Sequence, residues 1–104
     1  MVKKYNKLVR DRIPEIIQAQ GKTCLTETLD PEAYKHALMQ KLQEELNEYL
    51  ESESAEELAD LLEVMMAAAK ASGYTWQQIE DIRIQKQQAR GGFNDRIALL
   101  EVSG

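Results

Sequence analysis

Apolar residues recur every three or four positions along two long stretches of this chain, each fenced by residues that start and stop helices. That spacing confines the chain to a helical fold. Asp30-Pro31 has the form of an N-cap followed by a first-turn proline and opens a helix expected to run to about Glu51. Ser52 to Ser54 make a tight turn, and Ser54-Ala55-Glu56-Glu57 has the spacing of a capping box for a third helix. This one should end near Ser72, where Gly73 is a natural left-handed stop. Thr75-Trp76-Gln77-Gln78 offers a second capping box, for a fourth helix ending at Gly91-Gly92. A short first helix begins around Pro14 and stops at Gly21, and residues 22–28 are expected to be extended. The tail from Phe93 to Val102 alternates too weakly to assign, with a short strand near the termini as one option. The expected fold class is therefore all-α: one domain over residues 1–104, a bundle of about four helices. A chain of this length buries roughly two thirds of its unfolded surface, so efficient packing or oligomerisation has to complete it.

Charge narrows the possible partners. The chain carries 13 basic and 18 acidic residues, a net charge of −5, which argues against a nucleic-acid backbone as ligand. A small phosphorylated ligand is compatible with it, provided that metal ions stand between phosphate and carboxylate. Cys24 is the single cysteine and has no partner for an intramolecular disulfide, nor is there a Cys/His cluster for zinc. The charged opening MVKKYNKLVRDRIPEII resembles neither a signal peptide nor a membrane span, so a soluble, cytoplasmic protein is expected.

Placing each acid on its helical wheel, at about 100° per residue, separates two groups of carboxylates. On the second helix Leu38, Leu42, Leu46 and Tyr49 form one apolar arc. Glu45 falls inside that arc and Glu48 on its edge beside Lys41, while Glu44 and Glu51 lie further round. On the third helix the arc is Leu58, Leu61, Leu62, Met65 and Ala69, broadened by Val64 and Ala68. Glu57 projects between Val64 and Ala68, and Asp60 lies just beyond Val64. A buried carboxylate without a partner is costly, so it protonates, finds a cation or binds a metal. Two i, i+3 pairs, Glu45/Glu48 and Glu57/Asp60, on helices joined by a tight turn can converge across a bundle interior. Oxygen ligands of this kind suit Mg²⁺, with Mn²⁺ as the nearest substitute. The plainer alternative is that these acids are solvated surface, with Glu57 used as the capping-box residue.

The fourth helix carries a complementary stripe. Trp76 and Ile79 begin an inward face that continues as Arg83, Lys86 and Arg90. Cations beside a metal-binding acidic cluster are what phosphate chemistry requires. Simple pairing with the acidic second and third helices accounts for them slightly better on the residues alone. Lys7, Arg10 and Arg12 near the N-terminus could join the same cluster.

The run Lys41-Leu42-Gln43-Glu44-Glu45-Leu46-Asn47-Glu48, followed by Glu57-Leu58-Ala59-Asp60, resembles the EExxE…ExxD signature of the MazG-like all-α nucleotide pyrophosphohydrolases. The opening Tyr5-Asn6-Lys7-Leu8-Val9-Arg10-Asp11 and the closing KQQARGGF, Lys86 to Phe93, are similar to a compact subgroup of them, related to phosphoribosyl-ATP pyrophosphohydrolase or described as house-cleaning enzymes. The resemblance implies that Glu45, Glu48, Glu57 and Asp60 hold Mg²⁺, with Glu44 as a supporting or second-metal group. It implies phosphate contacts from Lys86 and Arg90, to which Arg83, Lys41, Lys7 and Arg10 are candidate additions. The expected reaction is hydrolysis of a nucleoside triphosphate, canonical or not, to the monophosphate and pyrophosphate, with Glu44 or Glu48 taking the proton of the attacking water. The family also implies a homo-oligomer, dimer or tetramer. Eight residues separate Glu48 from Glu57, fewer than in many members, which leaves little material there to recognise a base. Two rivals share the fold: phosphoribosyl-ATP pyrophosphohydrolase itself, and a non-catalytic helical oligomerisation or regulatory module.

Overall fold

The computed structural model describes residues 2–104, so Met1 of the expected domain lies outside the described residues. It contains four helices in the anticipated order: α1 (Ile13–Ala19), α2 (Pro31–Ser52), α3 (Ala55–Ala71) and α4 (Trp76–Arg90). The end signals act chemically as their residue types suggest. Asp30 accepts a hydrogen bond from the Ala33 N–H at 2.8 Å and Pro31 fills the first turn of α2. Thr75 and Gln78 form a complete reciprocal capping box at the start of α4, with bonds of 3.1 and 2.9 Å. At the end of α3, Gly73 adopts φ +88°. Its N–H donates to the Lys70 carbonyl while the Tyr74 N–H donates to that of Ala69, which is a Schellman closure. The left-handed turn between α2 and α3 falls on Glu53, φ +52°, after which Ser54 caps α3.

The expected option of a short strand in the tail is not realised. Residues 93–104 form no strand among the described residues, and they are exposed throughout. A strand needs a neighbouring edge to satisfy its backbone, and the described residues offer none. Residues 22–30 likewise run without regular structure.

Packing is concentrated in the α2–α3 hairpin. Leu38, Val64 and Ala69 are the buried apolar residues. α4 meets the end of α3, where Trp76 and Ile79 line a shallow cleft with Leu42, Met65, Ala68 and Ala69. Beyond Glu80 every residue of α4 is exposed. The apolar arcs are wider than the seam that two helices can cover. Leu46, Leu58, Leu62 and Met65, all on the arcs, keep 39–48% of their surface exposed. The radius of gyration, 18.5 Å, is well above the ~13 Å of a compact domain of this length. None of the helices is long and apolar enough to cross a membrane.

Candidate metal centre

The carboxylates lie along one side of the α2–α3 seam and the exposed leucines along the other, because the two sets occupy opposite edges of each helix's apolar arc. Glu45, Glu57 and Asp60 each offer an oxygen such that the three lie within 4.8 Å of one another. One hard cation can bridge such a group, since oxygens on opposite sides of Mg²⁺ or Ca²⁺ stand about 4–5 Å apart. Glu45 is buried, with 6% of its surface exposed. Its Oε2 and the Oε2 of Glu57 are both buried without a hydrogen-bond partner. Oxygens in that state call for a proton or a cation, so the donor set fits a metal ion by its chemistry as well as its spacing.

The other oxygens of the group are neutralised from within the chain. Lys41, itself largely buried, lies 3.2 Å from Glu45 Oε1 and 3.4 Å from Glu44 Oε2. Burial would lower the Lys41 pKa, but the bonds and charges of Glu45 and Glu44 outweigh it and hold the ammonium above its ordinary value. Lys7 reaches Glu44 Oε1 at 3.5 Å, and Arg10 donates to Asp60 Oδ1 at 2.7 Å. Glu48 is exposed and lies outside the three-oxygen group. It still senses the cluster: hydrogen bonding and charge from Glu45 push its pKa up. Glu57 is pushed up to about 7, by burial first and then by the Glu48 carboxylate. Adjacent carboxylates without enough cations cannot all ionise at low cost, so one keeps its proton, and a divalent cation bound there would have to displace it.

Glu57 does not complete a capping box. Ser54 Oγ accepts from the Glu57 N–H at 3.3 Å, but the Ser54 N–H donates to Ser52 Oγ at 3.3 Å, leaving the Glu57 carboxylate free. The short serine turn thus releases this side chain for the cluster.

The cations divide differently from their order in the sequence. Lys7, Arg10 and Lys41 converge on the acids. On α4, Arg83 pairs with Glu80 one turn back, which raises the Arg83 pKa and lowers that of Glu80. Lys86 and Arg90 are exposed and form no ion pair among the described residues, so the chain does not bring the basic stripe onto its own carboxylates. The pairing of Arg10 with Asp60, 50 positions apart, had no local signal in the sequence, whereas the Lys41–Glu44–Glu45 spacing of i, i+3 and i, i+4 does announce a helical ion pair. Trp76, the first residue of α4, is half-buried, and Phe93 is fully exposed.

No family model matches the chain. No solved structure matches it either. A Mycolicibacterium smegmatis protein described as uncharacterized is 54% identical over 41 residues, which cover 39% of this chain and 42% of that relative. The chain therefore matches less than half the length of the relative.

Proposed function

We propose that this protein is a Mg²⁺-dependent nucleoside triphosphate pyrophosphohydrolase, cleaving between the α- and β-phosphates to give a monophosphate and pyrophosphate. The observation that carries the reading is the pair of buried, unpartnered carboxylate oxygens on Glu45 and Glu57, set beside Asp60. These acids occupy the ligand positions of the EExxE…ExxD pattern. Bound Mg²⁺, or Mn²⁺, would supply charge neutralisation on the phosphates and a more acidic water. The chain's own contribution is positioning. Glu45 and Asp60, fixed by Lys41 and Arg10, present oxygens in a set geometry. Glu48, exposed at the margin with a raised pKa, would accept a proton from an attacking water. Glu44, held between Lys7 and Lys41, is a supporting acid in this scheme.

The experiment is a panel of canonical and modified nucleotides, including phosphoribosyl-ATP, incubated with the protein and Mg²⁺ and assayed for pyrophosphate. Release that EDTA abolishes is expected with at least one substrate. No release from any member, at protein concentrations matching the substrate, would leave the chain as a helical scaffold.

We also infer that the working form is a homo-oligomer in the cytoplasm. The protomer exposes 9736 Å², against about 6,000 Å² for a compact folded chain of its mass, 11.9 kDa. The excess, about 3,700 Å² per chain, is more than the roughly 1,000–2,500 Å² that each partner of an obligate homodimer buries, and the exposed irregular tail accounts for part of it. The exposed stripe of Leu46, Leu50, Leu58 and Leu62 supplies an apolar surface for a second copy to cover.

A further inference from the structure

The N-terminal motif that precedes α1 folds onto the carboxylate cluster, although nothing in the metal chemistry above requires it. Five cations fall within residues 3–12. Two of them, Lys7 and Arg10, contact two different acids on two different helices, Glu44 on α2 and Asp60 on α3. The segment is seated rather than adrift: Leu8 between them is half-buried, and the Lys7 ammonium stands 5.8 Å from the centre of the Tyr5 ring. Asn6 takes φ +47°, a turn that asparagine tolerates better than most residues.

The charges around the cluster are unequal. Glu44, Glu45, Glu48, Glu57 and Asp60 face Lys7, Arg10 and Lys41, so with every carboxylate deprotonated the acids exceed the cations by two, the charge of one divalent ion. Lys41 is fixed by burial and by its own helix. Lys7 and Arg10 are roughly half-exposed and sit on an irregular segment, so they are the cations able to change partner. Arg10 occupies an oxygen of Asp60, one of the three acids placed to hold the ion. A divalent cation drawing on Asp60 weakens that pair by competing for the same carboxylate, and a planar guanidinium so released is well shaped for phosphate oxygens.

We propose that residues 3–12 form a counter-ion arm whose Lys7 and Arg10 hold Glu44 and Asp60 in the metal-free protein, and exchange those carboxylates for polyphosphate oxygens once a divalent ion occupies the cluster. This assignment rests on the metal-dependent nucleotide reading above. It makes Arg10 an opponent of the metal and an ally of the metal-bound ligand.

The test is titration calorimetry of the full chain and of Arg10→Gln, first with Mg²⁺ alone and then with inorganic tripolyphosphate in saturating Mg²⁺. Removing the competing cation is expected to tighten Mg²⁺ binding several-fold, and to weaken tripolyphosphate binding about tenfold. Lys7→Gln is expected to weaken the second titration while leaving the Asp60 contact in place. Circular dichroism of each variant checks that the helices persist. Unchanged affinities in both titrations, or weaker Mg²⁺ binding by a folded Arg10→Gln, would overturn the arm. A wild-type chain that binds Mg²⁺ but neither tripolyphosphate nor any nucleotide would instead overturn the nucleotide reading and, with it, the phosphate half of this proposal.

Discussion

Glu57 shows how one side chain can be diverted from a local task to a tertiary one. Its sequence position suits a capping box, yet Ser52 satisfies the backbone N–H that its carboxylate would have taken. The carboxylate turns instead toward Glu45 and Glu48, where burial and a neighbouring charge raise its pKa to about 7. Its ordinary value is 4.5, so between these two pH values the folded state binds a proton that the unfolded state has released. The associated stability is full below the lower value and is lost as pH rises through the upper one. Glu48, shifted in the same direction, adds to the trend. Thermal melts in EDTA should therefore give a lower midpoint at pH 8 than at pH 5.5. Mg²⁺ should restore the midpoint most strongly at the alkaline end, where the ligands are deprotonated. Glu57→Gln should keep its helical signal, because Ser54 still caps the backbone, while flattening the pH dependence. It should also lose Mg²⁺ affinity by more than the ~10–100-fold typical of outer-shell changes. A Glu57→Gln chain with an unaltered Mg²⁺ response would remove Glu57 from the site.

Among the elements, the helix ends carried the clearest sequence signals because capping depends on a few residues in fixed register. The Thr75–Gln78 box and the Gly73 closure join α3 to α4 and so set where Trp76 enters its cleft. Thr75→Ala leaves the Gln78 N–H without its hydroxyl acceptor and should cost about 1 kcal/mol. Gly73→Ala meets no atom within 4 Å, so its cost comes from φ +88° alone, about 1–2 kcal/mol. Chemical denaturation of the two variants should thus show similar modest losses, with Gly73→Ala at least as damaging. A neutral Gly73→Ala would mean that the junction relaxes to another turn. Interior faces were less legible. The wheels placed Glu45, Leu38 and Val64 inward, as they are, but gave the same rank to Leu58 and Leu62, which a two-helix seam leaves half-open.

For the molecule as a whole, the decisive numbers are the three buried apolar residues and the principal extents of 64 × 31 × 23 Å. A core that small leaves little hydrophobic stabilisation to set against chain entropy. Light scattering coupled to size-exclusion chromatography should therefore report a mass of at least twice 11.9 kDa. Leu62→Glu, on the exposed stripe and away from the carboxylates, should shift that mass toward the monomer and lower the melting temperature. A stable monomeric wild type would show that the open face needs no partner.

Helix number, helix ends and the candidate ligands Glu45, Glu57 and Asp60 followed from the sequence itself, since each depends on spacing along one helix or on a single turn. The tail strand did not, because a strand exists only if another edge accepts it. Neither did the encounter of Lys7 and Arg10 with Glu44 and Asp60, or the departure of Lys86 and Arg90 from them. Those depend on where an irregular segment and a loosely docked helix come to rest. No periodicity encodes that, because it is fixed by contacts between residues far apart in the chain.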